Sequence, residues 1–249
     1  LGLVEQACQL AQPPISGYRV GAVALGASGR VYLGFNLEFP GLGLQHTVHA
    51  EQAVVILAHS QRETHLQALA VSAPPCGHCR QFLRETQAQP LRILLPGEAE
   101  YSLQELLPQS FGPEDLGQPC CILEAAASLP RIEGATGQQL AQQAASCGWA
   151  PYSRCQSGVA LRCGERWFFG SYLENAAFNP SLNPMQYAIV LACSQGFALE
   201  EIEEVHFWER STSVSLHSAT VDICQALPRQ PLLFTDRAEG RLPDEEAPA

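Results

Sequence analysis

The second half of this 249-residue chain repeats the first, and no other feature restricts its fold as strongly. Pro151-Tyr-Ser153 lies over Pro14-Ile-Ser16, and Gly158-Val-Ala-Leu161 over Gly21-Ala-Val-Ala24. Gly170-Ser-Tyr-Leu-Glu174 lies over Gly34-Phe-Asn-Leu-Glu38, and the run Asn183 to Ala192 over His49 to Ala58. The register drifts by only about three residues across the match. Each copy reads as two short apolar runs of strand length, then a helix that is apolar nearly all round and so has to be buried.

Within the first copy, Leu3, Ala7, Leu10 and Ala11 share one face of an N-terminal helix that Pro13-Pro14 ends. Val20–Leu25 and Arg30–Phe35 flank the turn residues Gly26–Gly29 and form a hairpin. Helix His49–Ser60, strand Leu66–Ser72, helix Cys76–Gln87 and strand Leu91–Leu95 follow. Ser102 and Glu105 stand at capping-box spacing before a short helix. The expected domains are a catalytic unit over 1–117, a linker over 118–133 and a second, degenerate unit over 134–237. An acidic, Pro- and Ala-rich tail over 238–249 is expected to be disordered.

The two copies differ where chemistry would reside. His49, then Glu51, then Pro75-Cys-Gly-His-Cys79 follow one another in the first copy. One imidazole and two thiolates make a three-ligand zinc site that leaves a fourth position for water, the arrangement of catalytic rather than structural zinc. Glu51 is spaced to move protons beside the metal rather than to bind it. H-x-E…P-C-x-x-C is the signature of zinc-dependent nucleobase deaminases. Cys76 and Cys79 fall on one face of a first helical turn, where the positive helix end favours thiolate. In the second copy Asn183 replaces His49, Met185 replaces Glu51, and no C-x-x-C follows. That copy keeps the apolar pattern and lacks the ligands and the proton carrier together.

Other candidates read two ways. Asn36 and Glu38 point to the same side of an extended segment, either as a solvated strand end or as a donor and acceptor for a sugar hydroxyl. Arg80 is a support for the thiolates or a surface arginine. Phe178, among small residues, reads first as core and second as a lid on another site's pocket. His78, between the cysteines, is the one candidate for a fourth ligand that would turn the centre into a structural, non-catalytic one.

The formal net charge of -11, from 14 Lys plus Arg against 25 Asp plus Glu, is poorly suited to a phosphate backbone. It favours a small neutral substrate over a polynucleotide. No apolar run approaches the roughly 20 residues of a membrane span. Ten scattered cysteines do not form the framework of a small secreted domain and read as free cytoplasmic thiols, one pair on metal.

Phe35-Asn-Leu-Glu-Phe39, Thr47-Val-His-Ala-Glu-Gln52, Pro75-Cys-Gly-His-Cys-Arg-Gln-Phe82 and the degenerate block Gly170 to Phe178 together resemble cytidine deaminases of the long, two-domain, homodimeric type. The resemblance reaches to about residue 235. It implies two tandem three-layer α/β/α domains, each around a mixed five-stranded sheet. It implies hydrolysis of cytidine and deoxycytidine to uridine and deoxyuridine with release of ammonia, in pyrimidine salvage. It implies one Zn2+ per chain on His49, Cys76 and Cys79, with Glu51 as proton carrier. Asn36 and Glu38 then match the residues that hold the ribose 3′-hydroxyl, and Ala50 the backbone amide at the pyrimidine carbonyl. Tyr18 falls where the family places an aromatic, usually Phe, over the base. Ala177 and Phe178 match the region that reaches the partner subunit's pocket.

Overall fold

The computed structural model describes residues 2–97, 99–126 and 134–238. The first copy comprises α1 (Gly2–Leu10), β1 (Gly21–Gly26), β2 (Val31–Phe35), α2 (Ala50–Ser60), β3 (Leu66–Val71), α3 (Gly77–Arg84), β4 (Arg92–Leu94), β5 (Glu100–Ser102) and α4 (Leu103–Leu106). The second comprises α5 (Gly137–Ser146), β6 (Ser157–Cys163), β7 (Arg166–Ser171), α6 (Pro184–Ser194), β8 (Ile202–Arg210), α7 (His217–Ala226) and β9 (Leu232–Ala238). Sheet order is β2-β1-β3-β4-β5 in the first and β7-β6-β8-β9 in the second. Each sheet is mixed. The hairpin and its next neighbour pair antiparallel, and the crossover through α3 or α7 adds a parallel strand. Even the irregularities repeat: β1 slips against β3 at Leu25/Gly26, and β6 against β8 at the equivalent Arg162/Cys163.

Four glycines explain the three layers. A Cβ on Gly21 would strike the backbone of α1 at Val4 and Cys8, and one on Gly34 would strike α2 at Ala50 and Val54. Gly21 pairs with Phe35, and its neighbour Ala22 pairs with Gly34, so the two glycines face opposite sides of the sheet and admit one helix each. Gly158 against α5 and Gly170 against α6 do the same in the second copy.

The expected architecture therefore holds, with one difference in strand number. The second sheet has four strands among the described residues rather than the expected five, and residues 239–249, which follow β9, lie outside them. The expected disorder of the tail concerns those same residues; Ala238 itself is still in strand β9. The N-terminal helix is also rotated from its expected face. Val4, Ala7 and Ala11 are buried while Leu3 and Leu10 are exposed, since only small side chains fit where Gly21 draws the helix onto the sheet.

Helices α2 and α6 are buried along almost their whole lengths, as their apolar composition requires. They pack on each other between the two sheets, so one apolar cluster runs from Leu37, Val54 and Phe82 into Leu173, Ile189 and Phe207. Fully burying a side chain of this size stabilises by about 1.5–3 kcal/mol. Ile122 and Leu123 are buried as well, their amides donating to the carbonyls of Glu85 and Thr86 at the end of α3.

Candidate active site

His49 is the N-cap of α2 and Cys76 the N-cap of α3, so two helix N-termini converge on one point. The expected first-turn placement holds for Glu51 and Cys79, while His49 and Cys76 sit one step outside their helices. His49 Nδ1 lies 3.6 Å from Cys76 Sγ, and the ligand atoms of His49, Cys76 and Cys79 all lie within 4.8 Å of one another. Tetrahedral zinc with usual Zn–S and Zn–N bonds places S and N about 3.6 Å apart, the separation found between Cys76 and His49, so the donor set suits that metal. No other such cluster occurs among the described residues.

The electrostatics match a metal site. A hydrogen bond from the Cys79 thiol, then one with His49, pushes the Cys76 thiol down to about 3. Cys79, its proton engaged by Cys76 and its sulfur buried, is pushed up. Metal binds the thiolate form, so a cation held by this pair would release thiol protons. The hydrogen bond with Cys76 raises His49 against the opposing effect of burial. Glu51 is 3 % exposed, and burial raises its carboxyl above the usual range even with His49 beside it. A carboxyl that takes up a proton readily is what proton transfer at neutral pH requires.

Two supports were not foreseen from sequence. Gln52 accepts the His49 amide through Oε1 at 3.0 Å, and its Nε2 donates to His78 Nε2 at 3.2 Å. His78 stacks on His49 with ring centroids 5.5 Å apart, and it is not part of the three-ligand cluster. The signal for Gln52 was present, since it stands at capping-box distance from His49. Arg80 touches neither sulfur. Its guanidinium donates to the Pro75 and Leu106 carbonyls at 2.8 Å each, tying the approach to Cys76 to the end of α4, so it supports backbone rather than thiolate charge.

A cavity of about 300 Å³ opens over this centre, lined by Tyr18, Asn36, Glu38, Ala50, Glu51 and Cys76 among others. Asn36 and Glu38 are 7 % and 8 % exposed, which rules out a solvated strand end. Asn36 accepts the Val20 amide and donates to the Tyr18 carbonyl. Glu38 accepts from the Ile15 and Ser16 amides and the Ser16 hydroxyl. Burial raises the Glu38 carboxyl, but these three donors outweigh it and hold the pKa below the usual range. Both residues shape the loop that brings Tyr18, 61 % exposed, to the cavity mouth. Ala50, fully buried, places its amide at the first, unpaired turn of α2 beside the cavity.

The second copy repeats the frame with other contents. Glu174 accepts from the Tyr152 and Ser153 amides as Glu38 does from Ile15 and Ser16. Asn183 caps α6 with its own side chain and hydrogen-bonds Thr220 of α7, so a direct contact joins the helices where His49 faces Cys76 in the first copy. Met185 is fully buried at the position of Glu51. Phe178 departs from its expectation as core. It is 64 % exposed, and with Ala177 it forms a tight turn closed by Asn175, at a φ of 63° that costs a bulky residue strain.

Comparison with known proteins gives a consistent result. The family described as "Cytidine and deoxycytidylate deaminase zinc-binding region" matches twice, over residues 2–94 and 103–221. A cytidine deaminase of Cronobacter sakazakii is 43 % identical over 229 residues, covering 90 % of this chain and 78 % of the relative. One of Klebsiella pneumoniae is 41 % identical over 228 residues with the same coverage. The crystal structure of cytidine deaminase from Mycobacterium tuberculosis is similar at 39 % identity and TM-score 0.41, over 45 % of this chain and 93 % of that one.

Proposed function

The chain belongs to the zinc-dependent cytidine deaminase family, and from that premise we propose that it hydrolyses cytidine and deoxycytidine to uridine and deoxyuridine with release of ammonia. The observation that supports this most directly is the buried Glu51 beside the His49, Cys76 and Cys79 donors, at the foot of a cavity that Asn36 and Glu38 also line. A zinc ion held there supplies a Lewis acid that lowers the pKa of a water molecule toward neutrality.

The residues divide the remaining work. Glu51 accepts the proton of the attacking water, passes it to N3 of the ring, and serves again when the amino group leaves from C4. The Ala50 amide donates to the pyrimidine carbonyl, Tyr18 covers the base, and Asn36 with Glu38 receives the ribose 3′-hydroxyl. Gln52 and His78 fix the imidazole, and Arg80 fixes the loop that leads into Cys76. Residues 1–117 form the catalytic unit and 134–237 the non-catalytic one, joined through 118–133. Two chains pair so that Ala177 and Phe178 reach the partner's pocket, and the exposure of Phe178 at a strained turn supports this. The setting is pyrimidine nucleoside salvage in the cytoplasm, where ten unpaired cysteines remain reduced.

The test is the ultraviolet absorbance of cytidine with purified protein, before and after zinc is stripped. Zinc-dependent loss of the cytidine band, with uridine and ammonia appearing together, is the expected result. Protein with bound zinc that leaves cytidine intact but deaminates an oligonucleotide would replace the nucleoside reading with a polynucleotide one.

A further inference from the structure

The second copy grips the far end of α3, the helix of Cys76 and Cys79, chiefly through one buried carboxylate. Glu85 is the C-cap of α3 and is fully buried. Its Oε1 accepts from Trp149 Nε1 at 2.8 Å and from the Tyr152 hydroxyl at 2.6 Å, and its Oε2 accepts from the Ala176 amide at 2.9 Å. All three donors belong to the second copy. One turn back, Asn175 Nδ2 donates to the Gln81 carbonyl of the same helix.

These donors come from particular places in the repeat. The contact of Trp149 with Leu173, and of Leu173 with Leu182, repeats that of Gln12 with Leu37 and of Leu37 with Val48. The loops that frame the ligand cavity in the first copy are therefore the loops that close on Glu85 in the second. The reverse contact is not made. Gln225, at the same distance from its helix N-cap as Glu85, is exposed. There the first copy's Pro14 and Glu38 face Ala226 and Pro228 across a cavity of about 600 Å³. One pair of loops stays open for a ligand, and the other holds a side chain of its neighbour.

An eight-residue helix is too short to hold its place alone, and α3 carries both sulfur ligands on its first turn and N-cap. We propose that Glu85 is a positioning residue: the second copy grips its carboxylate and thereby fixes the axial position of α3, and with it Cys76 and Cys79, relative to His49. This gives the non-catalytic copy a function within its own chain. The proposal rests on the zinc-centre reading above.

The test compares parent, Glu85→Gln and Cys79→Ala as the whole chain after incubation with zinc and removal of the excess, following zinc content and its release to a chromogenic chelator at a temperature where circular dichroism shows all of them folded. Glu85→Gln turns an amide NH2 toward one donor. It is expected to release zinc about tenfold faster, to shift the thiolate charge-transfer band of the cobalt-substituted protein, and to lower kcat with KM little changed. Release and cobalt spectrum matching the parent in folded Glu85→Gln would overturn the positioning role. Should Glu85→Gln fail to fold, Tyr152→Phe removes one donor and leaves two. A release about threefold faster is then expected, and an unchanged one overturns the proposal. Cys79→Ala tests the underlying reading separately: zinc held as firmly as in the parent would discard the metal centre itself, whatever Glu85 does.

Discussion

At the scale of single residues, the proposed function separates holding a metal from moving a proton. Glu51→Ala is expected to keep its zinc, measured by atomic absorption, and to lose at least about a hundredfold in kcat. Cys79→Ala is expected to lose the metal and the activity together. A Glu51→Ala protein turning over at the parent rate would remove Glu51 from the reaction. The cluster of His49, Cys76 and Cys79, with Glu51 beside it, was legible in the sequence because metal geometry and helix spacing fix residue types at fixed intervals. Asn36 and Glu38 were legible only as alternatives: alternation told which way they point, and only the folded 13–20 loop provides the hydrogen-bond partners that hold them, the Ile15 and Val20 amides and the Tyr18 carbonyl among them. Arg80 read either as a support for the thiolates or as a surface arginine, whereas the partners of its guanidinium are backbone carbonyls.

At the scale of elements, the two central helices make the argument testable. Gly34 and Gly170 occupy equivalent places under α2 and α6, but only α2 leads from the site. Changing either to alanine forces a helix off its sheet and is expected to cost about 1–3 kcal/mol, read as a lowered Tm. Gly34→Ala should in addition lower kcat, because α2 bears His49, Ala50 and Glu51, while Gly170→Ala should leave kcat near the parent value. Equal effects on kcat would mean that α2 tolerates displacement. His59 of α2 meets the Tyr187 hydroxyl of α6 at 2.9 Å, and burial lowers its pKa from 6.5 to about 4. The unfolded chain therefore binds this proton before the folded one does. The stability His59 contributes is full above pH 6.5 and is lost as pH falls toward about 4, by up to about 3 kcal/mol. Urea unfolding of His59→Asn between pH 7 and 4 should show a shallower loss than the parent; parallel curves would assign the acid sensitivity elsewhere.

At the scale of the whole molecule, the second copy serves as a wall of the core and as a presenter of Phe178. A homodimer in sedimentation is the expected state. Phe178→Ala is expected to raise KM or to weaken the dimer, with the folded core unaffected because the ring is exposed. A monomer with full activity would defeat the shared-pocket reading. Sequence reasoning favoured Phe178 as core, since an aromatic among alanines ordinarily seeks burial. The turn built by Asn175 overrides that preference by turning the backbone outward at a positive φ.

The repeat, the two buried helices, the hairpins and the metal motif were all determined by the sequence itself. Each is set by local periodicity or by the coordination demands of one ion, and neither needs a distant partner to be read. The rotation of α1, the burial of Asn36 and Glu38, the exposure of Phe178 and the grip on Glu85 were decided only by the tertiary structure. Phe178 is turned out by its neighbour Asn175, but in the other cases the deciding partner lies well along the chain, from Gly21 beneath α1 to Trp149, Tyr152 and Ala176 around Glu85. No local pattern announces which residues a folded chain will bring together from such distances.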